Sequence, residues 1–155
     1  MIRGAALMLG LALGVPACAQ EYPRVWLNPG FYSLHFDREK DLRDDNIGLG
    51  AEVVLAEEHV VAAGTFINSN RLRSRFAGYA WRPLGWKVTG LDVRAGVVVA
   101  AFDGYPGYDD GGWFIAPLPL LAIEGRWLGA NFSIVPPIAG WVDGAFVLQV
   151  KLRVW

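Results

Sequence analysis

Alternation of apolar residues with polar or small ones constrains this chain more than any other feature of its sequence. The segment 47–55 places apolar side chains at every second position: Ile47, Leu49, Ala51, Val53 and Leu55. The same pattern returns in 91–99, 128–135 and 146–154. Because side chains alternate between the two faces of a β-strand, each segment predicts a strand with one wholly apolar face.

The N-terminus has the pattern of a secretory signal peptide. Arg3 is its only charged residue, and the apolar run 5–13 precedes Ala17-Cys18-Ala19, which fits an A-x-A cleavage motif. We therefore expect residues 1–19 to be a signal peptide and residues 20–155 to form one domain. Cleavage after Ala19 would remove the only cysteine, so no disulfide is expected. Lipidation of Cys18 is the alternative.

Turn-forming stretches divide the mature chain into eight predicted strands, near 30–36, 46–55, 60–69, 73–81, 88–101, 113–122, 127–136 and 145–155. Eight strands of this length are typical of a small membrane-spanning barrel. The connectors 56–59, 82–87 and 125–126 are short and the others are mostly longer, as in outer-membrane proteins. We predict an all-β fold, an eight-stranded antiparallel transmembrane β-barrel in the outer membrane of a Gram-negative bacterium. A soluble β-sandwich is the alternative.

All the tryptophans of the mature chain lie near predicted strand ends: Trp26, Trp81, Trp86, Trp113, Trp127, Trp141 and Trp155. Aromatic girdles occupy such positions at the two membrane interfaces. The alternative is that these side chains fill the core of a sandwich. Trp155 shares its parity with the charged Lys151 and Arg153, so a terminal bulge or bend is needed to turn it outward.

The inward-facing positions predict a lumen with two different halves. The periplasmic half is expected to hold a polar network of Glu52, Asp92, Arg94, Lys151 and Arg153, paired with one another rather than lining a pore. The external half is expected to be small and largely apolar: Gly48, Gly50, Thr65, Ile67, Val98, Ala100, Ser133, Val135, Ala145 and Val147, with Arg73 and Arg75 inward near the rim. This half is either packed or an acyl-chain pocket.

The positions of the prolines favour an acyl-chain pocket over a packed external half. Pro117 and Pro119 lie inside the sixth predicted strand, and Pro136 lies at the end of the seventh. Proline cannot donate a ladder hydrogen bond, so it is rare inside a closed sheet. Prolines on two adjacent strands therefore predict a gap in the barrel wall, and a lateral gate for a lipid chain would be a use for it.

Four motifs occur in the order and spacing of those in a known family: Phe36-Asp37-Arg38-Glu39-Lys40, Ala77-Gly78-Tyr79, Trp81-Arg82-Pro83-Leu84 and Ala116-Pro117-Leu118-Pro119-Leu120. Through them the chain resembles the PagP lipid A palmitoyltransferases over most of its mature length. The resemblance implies an outer-membrane barrel with an interior hydrocarbon pocket and a proline-lined lateral gate. It also implies acyl transfer to lipid A or a phospholipid.

The family's catalytic residues are matched only in part. Ser69 matches its serine, Asn68 stands in place of its aspartate, and Phe31 stands at its histidine position, although His35 lies on the same strand. We predict Ser69 as nucleophile, His35 as base and Asn68 as a donor to an oxyanion. Asp37, Asp103 and Asp109 are candidates to orient the histidine. The alternative is a rim His and a rim Ser without coupled chemistry, in a barrel with a structural or surface-binding role.

Charge limits the partners that the chain can have. The formal net charge of −1 gives no reason to expect nucleic-acid binding. Basic residues cluster in the predicted external loops, where they either contact lipopolysaccharide phosphates or are simply solvated: Arg38, Lys40, Arg43, Arg71, Arg73 and Arg75. The acidic residues of 103–110 do not follow a calcium-loop order, so no metal and no cofactor are expected. We expect a monomer whose partners are membrane lipids.

Overall fold

The computed structural model describes residues 22–138 and 142–155, and these form a closed antiparallel barrel. Its strands are β1 (Arg24–His35), β2 (Asp45–Ala56), β3 (His59–Ile67), β4 (Arg73–Val88), β5 (Leu91–Phe102), β6 (Phe114–Glu124), β7 (Leu128–Val135) and β8 (Ala145–Arg153). Consecutive strands pair with each other, and β1 closes the barrel against β8. The predicted eight-stranded antiparallel barrel is thus confirmed, while the signal peptide lies outside the described residues.

Residues with helical hydrogen bonding are confined to one short 3-10 turn in the described chain, Asp109–Gly111 in the β5–β6 loop. None of the helices in residues 22–138 and 142–155 has the length and apolar character needed to cross a membrane.

The barrel carries apolar side chains outside and charges inside. Leu49 on β2 and Ile115 on β6 are 65% and 71% exposed on the outer wall. Glu52, Glu124 and Lys151, in contrast, are at most 4% exposed inside the barrel. This distribution reverses that of a water-soluble protein, in which charged groups lie outside. It is compatible with an outer wall that faces lipid.

β1 begins at Arg24, earlier than the sequence pattern predicted. Its register against β8 shifts between Leu27 and Tyr32, where Gly30 adopts a φ of 110°. A Cβ at this glycine would lie 2.1 Å from the carbonyl oxygen of Asn46, so the position requires glycine. The bulge interrupts the alternation of the strand, which explains why its first half was missed.

β4 is also longer than predicted, because the stretch 82–87 continues the strand instead of forming a connector. The turn to β5 is only Thr89-Gly90, with φ values of 50° and 84°. A register shift between Trp81 and Leu84 changes the phase of the alternation at this point. The alternation in the sequence is interrupted at this bulge, so the strand was predicted to end at residue 81 although it continues to Val88.

The predicted parity was wrong for β3 and for the start of β4. Phe66 points into the lumen and is 4% exposed, whereas its neighbours Thr65 and Ile67 lie on the outer face. Arg73 and Arg75 likewise face outward, with the buried Ser74 between them. Small and apolar residues occupy both faces of β3, so its sequence does not indicate which face points into the lumen.

Most of the described tryptophans lie on the outer wall, 50–74% exposed: Trp81, Trp86, Trp113, Trp127 and Trp155. Trp26 contradicts the girdle prediction, because it is fully buried in the lumen. Trp141 lies outside the described residues. β8 ends at Arg153, and beyond it the amides of Val154 and Trp155 both donate to the Val25 carbonyl, at 2.9 and 3.3 Å. The alternation of the strand is thus interrupted before Trp155, which is exposed.

Candidate functional site

A cavity of about 620 Å³ occupies the lumen from its middle to the end that carries the loops after β1, β3, β5 and β7. We call this end external and the opposite end periplasmic, after the orientation predicted from the sequence. Pockets of roughly 300–1,000 Å³ with few polar groups are typical of small-molecule sites. Its walls are mostly apolar and include residues from seven strands: Phe31, Val60, Ala62, Phe66, Phe76, Gly78, Val98, Ala100, Leu118, Leu120, Val135 and Val147. The cavity can therefore hold an apolar ligand.

One wall of the cavity is aromatic, which differs from the small residues that the sequence pattern predicted. Consecutive rings lie 4.5–6.2 Å apart in the order Phe66, Phe31, Phe76, Phe102, Phe114 and Tyr108. Tyr105 joins the external end of this row, and burial raises the pKa of its hydroxyl, which keeps it neutral. The aromatic row lines the lumen along β1 and β3–β6.

The floor of the cavity is a cluster of ion pairs at the periplasmic end. Lys151 is fully buried and ion-paired with both Glu52 and Glu124. Arg82 donates to Glu124 at 2.6 Å, and Arg24 lies 3.3 Å from the same carboxylate. Three cations thus share two carboxylates. The Lys151 ammonium also lies 5.0 Å above the Trp26 ring, a cation–π contact that adds to the stabilisation of this buried charge.

The predicted polar network corresponds to this cluster only in part. Glu52 and Lys151 belong to it, whereas Asp92 and Arg94 pair with each other at 3.1 Å and Arg94 also pairs with Glu57 at 2.6 Å. Arg153 donates to the Trp155 carbonyl beyond the strand end, so its predicted place in the network is wrong.

Sequence reasoning missed three members of the cluster, namely Arg24, Arg82 and Glu124. Arg24 lies in the missed first half of β1, and Arg82 lies at the bulge of β4. Glu124 is the last residue of β6, which was predicted to end earlier. Buried charges of opposite sign at inward positions would have identified them if the strand boundaries had been right.

The barrel wall has a gap between the external halves of β6 and β7. The β6–β7 register runs only from Leu120↔Ser133 to Glu124↔Gly129. The β5–β6 register, in comparison, continues to the end of the strand at Phe102↔Phe114. We call the unpaired stretch between 114–119 of β6 and 134–135 of β7 the lateral gap.

The prolines predicted as a gate lie along this lateral gap. Pro117 faces outward from β6 and yet lines the internal cavity, as does Pro136 just beyond β7. The Pro119 carbonyl accepts a 2.6 Å hydrogen bond from the Ser133 hydroxyl, so it points toward β7. The backbone groups of successive residues point alternately toward the two neighbouring strands. Because Pro117 lies two residues before Pro119, its backbone nitrogen and carbonyl also point toward β7. The two prolines remove N–H donors that would otherwise face the gap without a partner.

His35 and Ser69 lie at the external end of the cavity, and both line it. His35 is 7% exposed and its Nδ1 lies 3.0 Å from Oδ1 of Asp44, whose other oxygen accepts a 3.0 Å hydrogen bond from Arg38. The bond to His35, helped by Arg38, holds the pKa of Asp44 below its ordinary value. The backbone carbonyl of Ser69 accepts a hydrogen bond from Arg43, next to Asp44, which brings the serine to the same end of β2.

Asp44 was not among the candidates to orient the histidine. Asp103 instead pairs with Arg75 at 2.5 Å, and burial, which would raise its pKa, is outweighed by hydrogen bonds from Arg75 that lower it. Asp44 immediately precedes β2, whose first residues pair with the end of β1. The pairing of β1 with β2 in one hairpin could therefore have identified Asp44 as a neighbour of His35.

Asn68 does not have the position that an oxyanion donor requires. It is fully buried, and its amide donates to Oγ of Ser74 at 2.9 Å and to the carbonyl of Gly104 at 2.7 Å. Its side-chain oxygen accepts hydrogen bonds from the backbone of Asn70 and Leu72. Asn68 therefore organises the β3–β4 loop, and the predicted catalytic role is not supported by the geometry.

Comparison with known proteins does not assign the chain to a family. No protein-family model matches it, and no curated protein matches its sequence. Among the described residues, no group of three or more His, Cys, Asp or Glu side chains is placed to hold a metal ion.

Proposed function

We propose that this protein is an outer-membrane barrel that takes a lipid acyl chain into its internal cavity and transfers or hydrolyses the acyl ester at the external rim. The observation that carries this proposal is the apolar cavity of about 620 Å³ that reaches the outward-facing Pro117 at the lateral gap. An acyl chain that enters there moves from lipid to an apolar cavity without crossing water, which costs little free energy.

The polar groups at the external end supply the chemistry in this proposal. Asp44 accepts a hydrogen bond from Nδ1 of His35, which leaves Nε2 of the same ring to accept the proton of the Ser69 hydroxyl. The serine oxygen then attacks the ester carbonyl, and His35 returns the proton to the departing alcohol. The imidazolium formed in between is stabilised by the Asp44 carboxylate.

The acceptor decides between transfer and hydrolysis. A lipid A hydroxyl at the outer leaflet would complete acyl transfer, and water would complete hydrolysis. The motif resemblance to the PagP lipid A palmitoyltransferases supports transfer. The ester must lie at the external rim, because His35 and Ser69 lie there while the cavity below them is apolar.

Mass spectrometry of lipid A from cells with and without the protein tests this function. We expect an added acyl chain, or a removed one, that depends on the protein and is lost in Ser69→Ala. Thr65→Val is the control, since it removes a hydroxyl on the outer face of β3, the strand that leads into the loop of Ser69. Unchanged lipid A and phospholipid in cells containing folded wild-type protein would contradict the catalytic proposal.

A barrel that binds lipid without chemistry is the second candidate function. Asn68 favours it, because its amide is used within the protein and it does not line the cavity. In that case an acyl-chain ligand would copurify with the barrel while cellular lipids remain unchanged. Filling the cavity would then abolish copurification, whereas Ser69→Ala would not affect it.

A further inference from the structure

The basic residues of the external end are not equivalent. Five of the six pair with carboxylates of the loops or loop ends: Arg38 with Asp44, Lys40 with Asp143, Arg43 with Asp45, Arg71 with Asp41 and Arg75 with Asp103, at 2.5–3.0 Å. These pairs tie the loops to one another and to β2. Among the described residues of this set, Arg73 alone has no carboxylate partner, and Arg75 lies beside it on the same strand face with its guanidinium still exposed.

Arg73 and Arg75 lie two residues apart on the outer face of β4, close to its external end. Neighbours on one strand face are separated by about 7 Å, which is two rises of about 3.4 Å. Within the described residues Arg73 is exposed and has no carboxylate partner, while the Arg75 side chain is 66% exposed and pairs with Asp103. Two guanidinium groups and one carboxylate leave this patch with a positive charge.

Trp113 completes the patch. The Arg75 guanidinium lies 5.3 Å above its ring, and the ring itself is half exposed on the outer wall. Asp103 accepts hydrogen bonds from both the backbone and the side chain of Arg75, at 2.5 and 2.7 Å. The guanidinium is therefore held in one orientation before any ligand arrives, which lowers the entropic cost of binding.

The side chains around the patch indicate which kind of anion it would bind. Along the same outer face of β4, exposed and mostly apolar side chains follow in the periplasmic direction: Ala77, Tyr79 and Trp81. A ligand that places an anionic group on the arginines would extend apolar chains along this wall. Guanidinium groups bind phosphate oxygens in bidentate geometry. A phosphorylated lipid satisfies both parts of the surface.

We propose that Arg73, Arg75 and Trp113 form a binding site for the phosphate headgroup of an outer-leaflet lipid, on the outer wall and separate from the internal cavity. The site rests on the proposed membrane placement of the barrel, but not on catalysis. The two arginines lie on β4, which β5 separates from β6, one edge of the lateral gap, while Trp113 directly precedes β6.

Native mass spectrometry of the folded protein in nanodiscs tests the site, with lipid A carrying both phosphates and enzymatically dephosphorylated lipid A as probes. We expect wild-type protein to retain the phosphorylated form several-fold more than the dephosphorylated form. Arg73→Gln combined with Arg75→Gln should remove that preference. Arg126→Gln is the matched control, because Arg126 also lies 5.3 Å above a tryptophan ring, that of Trp127 in the β6–β7 turn region.

Three results would overturn the proposal. Equal retention of the two lipids by wild type, or an unchanged preference in the double variant, would exclude the phosphate site. Competition by inorganic phosphate as effective as that by lipid A would assign a simple anion site instead. Arg73→Gln alone, which breaks no ion pair among the described residues, keeps the test valid if the double variant does not fold. A barrel that fails to enter bilayers would contradict the membrane placement and not this site specifically.

Discussion

The two halves of the lumen differ in how their interior is occupied: one is filled by charged side chains and the other contains a cavity. The periplasmic half is filled by Lys151 and its partners Glu52 and Glu124, all buried. The external half is hollow, and a row of contacting aromatic rings along its wall reaches from Phe66 to Tyr108. Buried ion pairs fix a structure only when each charge keeps its partners, whereas an apolar wall tolerates empty space. The division places the cavity for the proposed ligand in the external half and the buried ion pairs in the periplasmic half.

Breaking the ion-paired floor should give the largest effect. Glu124→Gln removes the carboxylate shared by Arg24, Arg82 and Lys151, and an uncompensated buried charge costs about 3–5 kcal/mol. We expect the free energy of unfolding to fall by about that amount in urea titrations of protein refolded in lipid vesicles. Glu57→Gln is the control, since its carboxylate is half exposed and a surface pair contributes at most about 1 kcal/mol.

If Glu124→Gln and Glu57→Gln destabilised the barrel equally, the charged cluster would not be what holds the periplasmic half together. The comparison between the two halves would then lose its energetic basis.

Adding volume to each half should separate packed from empty space. Val54→Phe enlarges a fully buried residue of the periplasmic core cluster, and overpacking of this kind costs about 1–3 kcal/mol. Val147→Phe adds the same volume to the cavity wall, so it should cost clearly less in the same urea titration. It should also weaken retention of a fluorescent fatty-acid probe. Equal destabilisation by the two substitutions would show that the cavity is not available space.

The sequence predicted the fold well because the alternation of β2, β5, β7 and β8 is regular. It failed at bulges, where one extra residue reverses the faces, and the missed Arg82 lies at one of them. The site was predicted only in part. His35 and Ser69 lie on the same cavity, but the partner of His35 comes from the facing hairpin end, which spacing along the chain does not specify.

Restoring backbone N–H donors at the lateral gap should have a smaller effect. We expect it to change the rate at which the barrel takes up a fatty-acid probe rather than the free energy of unfolding. Pro117→Val combined with Pro119→Val supplies the N–H groups that are missing along this edge of β6. We expect β6 and β7 to pair further and uptake of the fatty-acid probe to slow several-fold in stopped-flow mixing with vesicles. Pro83→Val, at the β4 bulge, is the control. Unchanged uptake in the double variant would mean that chains enter over the external rim.

The smallest effect concerns the pH dependence of the external rim. The hydrogen bond to His35, with help from Arg38, lowers the pKa of Asp44 in the folded state, while the unfolded value is about 3.9. The unfolded chain therefore binds this proton more readily, so the contribution of Asp44 to stability is present above about pH 4 and is lost as pH falls through the folded pKa. Asp44→Asn should flatten this part of the pH dependence. Urea midpoints at about pH 6 and about pH 3 measure it.

Asp41→Asn is the matched control for Asp44, because its carboxylate is 90% exposed and pairs with Arg71 on the surface. We expect its pH dependence to equal that of wild type. The effect of Asp44→Asn should remain far below that of Glu124→Gln, since Asp44 is 22% exposed and solvent screens its partners. Should the wild type and Asp44→Asn lose stability equally between the two pH values, Asp44 would not hold His35 in place. The external rim would then be a set of solvated charges without a preorganised base.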